Sequence, residues 1–308
     1  MRADKAWATR LLLILLVLAL LPIWAVNANP AADTSHGRPA IAAENLAVVA
    51  HRGSSGVAPE NTLVAVEVAI AQRANWFEVD VQRSRDGELV LLHDRSLART
   101  TDVEEVFPDR APWHVDDFTL AELRRLDAGT WFHDDYAGEP IPTLAELVEL
   151  VRNRIGLLLE VKDPVFYPGI EQDIVDEFRS RPGWLSSALA EGRLVVQSFD
   201  HESMRRFEGL ASEIPVGLLF SRRPTDDEVV DAAGFATEIN PSFRVTDDAL
   251  VRRIHELGMR ISVYTVNTGR DMLQVLDLGV DGVITDYPIV LLDLLKSRAR
   301  TGEEAATG

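Results

Sequence analysis

From residue 46 onward the chain alternates short apolar runs with amphipathic stretches, and this rhythm restricts the fold more than any other feature. Ala47-Val48-Val49-Ala50 is an apolar run ending at His51-Arg52-Gly53. Leu63, Val66 and Ile70 then recur at helical spacing, which predicts a helix beginning near Asn61 and makes one βα unit. Residues 76–81 alternate as a strand, Asp86-Gly87 turns the chain, and Leu89-Val90-Leu91-Leu92 runs on to His93-Asp94. Further strands are expected at residues 156–161, 194–196, 216–220, 236–239, 261–266 and 282–285, with helical periodicity after each. About eight strands alternating with helices over ~250 residues predict an α/β fold closed into a TIM (β/α)8 barrel. No GxGxxG or Walker loop follows a strand, so nothing supports a nucleotide-binding sheet. Residues 95–142, with their Pro, Trp, His and Asp content, are too long for an ordinary connection and read as an insertion over one barrel end.

The flanks differ from this body. Arg2, Lys5 and Arg10 precede an apolar run at residues 11–26, so residues 1–28 are expected to act as a signal peptide or N-terminal anchor and the protein to be exported. Membrane association would then run through that segment. Residues 29–45 read as a linker, 46–298 as the barrel and 299–308 as a flexible polar tail. Composition removes several functions. Thirty-one Lys and Arg against 49 Asp and Glu leave a net charge of -18, which repels a nucleic-acid backbone. Zero cysteines exclude a disulfide framework, a thiolate metal site and a cysteine nucleophile.

The polar residues gather at strand ends, where a barrel of this kind carries its active site. His51 and Arg52 end the first strand. Glu78 and Asp80 stand two apart in a strand, so both side chains share one face, and Glu160 and Lys162 repeat that spacing. Carboxylates buried together repel unless a cation compensates, which points to a divalent metal held by oxygen, Mg²⁺ or Ca²⁺. Simpler roles compete: Glu78 and Asp80 as solvated acids paired with Arg83 and Arg85, Asn61 as a helix cap, Lys162 as the neutraliser of Glu160, and His51 and His93 as hydrogen-bonded structural histidines.

The ordered set His51-Arg52-Gly53, Pro59-Glu60-Asn61-Thr62, Glu78-Val79-Asp80, His93-Asp94, Glu160-Val161-Lys162, Gln197-Ser198-Phe199 and Gly282-Val283-Ile284-Thr285-Asp286-Tyr287-Pro288 resembles the glycerophosphodiester phosphodiesterase family over residues 46–295. The resemblance implies a TIM-type barrel with a small insertion after the second strand. It also implies metal-dependent hydrolysis of glycerophosphodiesters to an alcohol and glycerol 3-phosphate. By motif, Glu78, Asp80 and Glu160 would be metal ligands and His51 and His93 the acid-base pair. Arg52, Lys162, Glu60, Asn61, Gln197 and Tyr264 would contact substrate or phosphate. Two departures stand out: Tyr264 replaces the family's usual Trp, and Ser242-Phe243 follows Asn240-Pro241 where His-Tyr is frequent.

These residue types suit the reaction. A phosphodiester monoanion repels nucleophiles until cations neutralise its oxygens, and Arg52 and Lys162 supply fixed charge. One histidine would take the nucleophile's proton and the other protonate the leaving oxygen, with His51 assigned as base and His93 as acid. The nucleophile is water or the substrate's own glycerol hydroxyl, the latter passing through a cyclic phosphate. Two further readings follow: a lysophospholipase D-type enzyme acting on lysophospholipids, and an exported non-catalytic protein that binds phosphodiesters.

Overall fold

The computed structural model describes residues 46–307, so the leader and linker expected in residues 1–45 lie outside them. Eight parallel strands form a closed barrel: β1 (Ala47–Ala50), β2 (Trp76–Arg83), β4 (Gly156–Val161), β5 (Leu194–Ser198), β6 (Val216–Phe220), β7 (Glu238–Pro241), β8 (Arg260–Val263) and β9 (Gly282–Thr285), in the order β1-β9-β8-β7-β6-β5-β4-β2. Pairing of β1 with β2 at Val49↔Trp76 closes the ring. The remaining strand, β3 (Leu89–Leu91), is antiparallel to β2, folded back on it by the Asp86-Gly87 turn, and bridges Thr143 through Val90.

Helices α1 (Leu63–Gln72), α2 (Leu144–Val151), α3 (Ile170–Arg179), α4 (Pro182–Ala190), α5 (His201–Leu210), α6 (Asp226–Ala232), α7 (Asp248–Glu256), α8 (Gly269–Leu278) and α9 (Pro288–Thr307) surround the barrel. Their sequences announce their starts. Thr143 and Thr225 form capping boxes with Glu146 and Glu228, each pair satisfying two backbone N–H groups that the first turn leaves free. Residues 299–307, expected as a tail, continue α9, and Arg298 donates to Asp277 of α8 at 2.7 Å.

Strand periodicity sorts the apolar side chains into two layers. Val79 and Val81 of β2 and Leu157, Leu159 and Val161 of β4 join the core under the helices. Ala47, Val49, Leu158, Val195 and Ile284 form a separate buried cluster that fills the barrel interior. Each large apolar side chain buried this way contributes roughly 1.5 to 3 kcal/mol. The inward positions beyond that plug are polar, and there the site is built.

The insertion at residues 95–142 sits after the second barrel strand and its β3 hairpin. It has its own core, in which Leu97, Val103, Val115, Phe118 and Leu123 pack with Val90 and Leu92 of the hairpin. The Tyr136 hydroxyl donates to the Val57 carbonyl at 2.9 Å, tying the insertion to the loop after β1. Among the described residues, no helix is long and apolar enough to cross a membrane.

Candidate active site

Glu78 and Asp80 enter from β2 and Glu160 from β4, and the strand register sets Asp80 directly beside Glu160. One oxygen from each of the three lies within 4.8 Å of the others, a separation that a single ion with ~2.0 to 2.6 Å contacts can span. All three are buried, Glu78 and Asp80 at 1% exposure. The solvated-acid reading therefore fails for them, and Arg83 and Arg85 instead pair with Asp173 and Glu122. Burial and the neighbouring acids Asp80 and Glu160 push the Glu78 carboxyl well above its ordinary pKa. Burial and Asp80 raise Glu160 to about 7. Burial also opposes ionisation of Asp80, but Arg52 and Lys162 outweigh it and hold Asp80 low. Glu78 Oε1 and Asp80 Oδ1 are buried without a hydrogen-bond partner. An all-oxygen set with mutual repulsion and unfilled lone pairs fits a hard divalent cation.

Two cationic side chains border the acids. Lys162 Nζ contacts Glu160 at 2.7 Å and Asp80 at 3.8 Å. Arg52 follows β1 with a positive φ of 52°, and its backbone N–H donates to Glu78 Oε2 at 2.9 Å. Its Nε lies 3.5 Å from Asp80 and its Nη1 donates to Glu60. The adjoining Gly53 has to be glycine: its φ is 77°, and a Cβ there would come within 2.6 Å of Ala65. Its missing side chain lets the His51-Arg52 loop lie against α1, where the Ser54 N–H donates to the Ala65 carbonyl at 3.0 Å.

The two imidazoles are held alike. His51 Nδ1 bonds Asp286 Oδ1 at 2.6 Å, and His93 Nδ1 bonds Asp94 Oδ1 at 2.6 Å. Asp286 lies below the usual carboxylate range; burial opposes this, but the bonds from His51, Ser55 and Asn267 prevail. Burial opposes ionisation of Asp94, but the bonds from Arg99 and His93 prevail and lower it to about 2. Both are carboxylates that only accept, so each Nδ1 carries a proton, and His51 Nε2 lies 4.0 Å from Glu78 Oε2. Burial lowers the pKa of His93, against the pull of Asp80.

The other sequence-predicted residues fall around this centre. Asn61 is not the helix cap. Thr62 takes that role by accepting from Ala65, while Asn61 grips Asp80 at both ends, Nδ2 to Oδ2 at 2.8 Å and Oδ1 from its N–H at 3.0 Å. Glu60 joins Arg52 to Arg99. Gln197, buried beside Glu160 in the register, accepts from Asn240 at 2.8 Å. Tyr264 spends its hydroxyl on the Phe220 carbonyl at 2.9 Å and presents its ring edge-on to Phe199. Asp286, Asn267 and Arg99 had no role in the sequence reading. A signal for Asp286 existed: it ends the last strand as His51 ends the first, and barrel closure makes those strands neighbours.

The sequence profile of the Glycerophosphoryl diester phosphodiesterase family matches residues 51–290, a span that holds every residue of this site. The chain belongs to this family. Two family members illustrate the range. The glycerophosphodiester phosphodiesterase of Bacillus subtilis (strain 168) is 32% identical over 272 residues, 84% of this chain and 89% of that protein. The glycerophosphodiester phosphodiesterase of Caldanaerobacter subterraneus subsp. tengcongensis is 35% identical over 251 residues, 81% and 97% of the two chains. Among solved structures, an Oleispira antarctica phosphodiesterase in complex with the product sn-glycerol-3-phosphate superposes at a TM-score of 0.68 with 30% identity, covering 80% of this chain and 96% of that one. The glycerophosphodiester phosphodiesterase from Agrobacterium tumefaciens str. C58 superposes at 0.62 with 26% identity, covering 79% and 97%. The closed eight-stranded barrel is thus the family's fold, as the strand rhythm predicted.

Proposed function

We propose that this protein hydrolyses glycerophosphodiesters to an alcohol and glycerol 3-phosphate with the help of one divalent cation, Ca²⁺ or Mg²⁺. The observation that carries this reading is the convergence of Glu78, Asp80 and Glu160 within 4.8 Å, two of their oxygens without a hydrogen bond, between two imidazoles each oriented by an aspartate. A cation bound by those three acids would neutralise phosphate charge as it builds in the transition state. Arg52 and Lys162 would bind the remaining phosphate oxygens, the first through a planar fork and the second as a point charge. His51 Nε2 would take the proton of the attacking hydroxyl, and His93, entering the step as the imidazolium with a second proton taken up from solvent on Nε2, would give that proton to the departing alkoxide.

Turnover of glycerophosphocholine by the purified protein, lost with chelator and restored by Ca²⁺ or Mg²⁺, supports this reading; equal turnover in chelator contradicts it. The histidine assignment has its own check. With an activated aryloxide leaving group, His93→Ala is expected to recover rate and His51→Ala not, and the reverse result exchanges the two roles. The basic start and apolar run of residues 1–28 support export, and fractionation of cells expressing the full chain tests it.

A second reading has one observation in its favour. Phe199 is 44% exposed, and its ring lies 5.9 Å from Lys162 Nζ, which offers an apolar surface beside the phosphate position. Such a surface suits a lysophospholipid. Faster turnover of lysophosphatidylcholine than of glycerophosphocholine would favour it.

A further inference from the structure

Arg99 lies in the insertion, at the end of the single 3₁₀ turn Leu97–Arg99, whose Leu97 is fully buried in the insertion core. Its guanidinium reaches out of that core and makes three charge-assisted bonds. Nε donates to Asp94 Oδ2 at 2.5 Å, Nη1 to Glu60 Oε2 at 2.8 Å and Nη2 to Glu60 Oε1 at 2.7 Å. Each carboxylate passes the contact on. Asp94 holds His93 with its other oxygen, and Glu60 Oε1 also accepts from Arg52 Nη1 at 2.9 Å. One planar side chain therefore reaches an imidazole and a phosphate-binding guanidinium by separate routes.

The His51 side has no such dependence. Its Asp286 is held by Ser55 at 3.0 Å and by Asn267 at 2.6 Å, both supplied by loops at the strand ends of the barrel itself. Only the His93 side depends on a residue of the insertion. A lysine at position 99 would keep the charge but lose the fork that grips two carboxylates in one plane.

We propose that Arg99 is the positioning residue through which the insertion aligns His93 and Arg52 together. This rests on the phosphodiesterase reading above, in which those two groups act on one phosphate. Arg99 is partly exposed, so its removal leaves little buried charge unpaired and the fold is expected to survive.

Steady-state kinetics on the full chain with glycerophosphocholine and added Ca²⁺ provide the test. Arg99→Ala is expected to lower kcat about 10- to 100-fold and raise KM several-fold, the first through Asp94 and His93 and the second through Glu60 and Arg52. Glu60→Ala cuts only the second route and is expected to raise KM with a smaller loss in kcat. Methylguanidinium added to Arg99→Ala restores rate, whereas an alkylammonium ion of equal charge does not. Arg125→Ala serves as control, because Arg125 stacks on Phe107 of the same insertion at 4.5 Å without touching the site, and its kinetics stay at wild-type values. An Arg99→Ala enzyme with unchanged kcat, or with a loss that guanidinium leaves unrepaired and Arg125→Ala reproduces, overturns the proposal. If Arg99→Ala does not fold, Arg99→Lys decides: a comparable drop in kcat supports the alignment role and wild-type kcat refutes it. Absence of turnover in the wild-type protein refutes the functional reading as well, an outcome separate from a wild-type rate in the variants.

Discussion

The barrel interior holds two buried polar clusters on different strands, and they are built on opposite principles. On β5, β7 and β8, Asn240 donates to Gln197 at 2.8 Å and to Glu238 at 2.9 Å, and accepts from the Ser262 N–H at 3.1 Å. No buried side-chain atom of these four residues lacks a partner. On β2 and β4, three acids crowd together, and Glu78 Oε1 and Asp80 Oδ1 accept no hydrogen bond. Both clusters contain a buried glutamate whose carboxyl is pushed up by burial, so burial alone does not distinguish them. Repeated like charge with unfilled lone pairs does. One cluster completes the fold, and the other keeps binding capacity in reserve at some expense in stability.

The comparison breaks most sharply at Glu160. Glu160→Gln is expected to lower kcat/KM by about 10³-fold, since it removes a ligand charge. The Glu160 carboxyl is raised to about 7 despite its contact with Lys162, so above that pH the same change removes an ionisation that burial opposes, and the unfolding free energy of the metal-free protein should rise by roughly 1 to 3 kcal/mol in a denaturant titration with chelator present. Loss of both activity and stability would mean that the acids are satisfied by their neighbours, as Glu238 is by Asn240 in the other cluster. Asn61→Gly tests the same contrast one step out. Glycine accepts the backbone φ of 57°, so the substitution removes only the amide that grips Asp80, and a 10- to 100-fold fall in kcat/KM is expected.

Glu238→Gln probes the satisfied cluster and should leave kcat/KM within about twofold, well below the cost expected of any group acting on the reacting atoms. Its effect lies in the pH dependence of stability. Burial raises the folded pKa of Glu238, so the folded state binds more protons than the unfolded state just above pH ~4.5, and stability falls as pH rises toward the folded pKa. The variant's stability, followed by thermal melting, should fall less over that window. Tyr264→Phe is the smallest change. It frees the Phe220 carbonyl from its bond and should lower stability by about 0.5 to 1.5 kcal/mol, with kcat/KM within threefold.

Much of the acid cluster was legible because a strand has a period of two. Glu78, Asp80 and Glu160 alternate with outward-facing Val79, Leu159 and Val161, and the closed barrel follows from the strand rhythm. The partners that orient the imidazoles were less legible. Asp286 lies 235 residues from His51 and meets it only once the first and last strands pair. Arg99 sits in an insertion whose role depends on how it packs against the barrel, and helix caps differ from neighbouring polar residues by one position, which is why Thr62 takes the cap that the simpler reading gave to Asn61. Tyr264 shows a further point: a residue at a strand end can give its polar atom to the backbone and leave its ring facing Phe199.

Crystals of the protein grown in chelator and soaked in Mn²⁺, measured at the manganese absorption edge, test the central claim directly. The account predicts one anomalous peak within ~2.0 to 2.6 Å of oxygens from Glu78, Asp80 and Glu160. Density at those carboxylates with no ion, in a protein that still cleaves glycerophosphodiesters when Mn²⁺ is supplied, would contradict it.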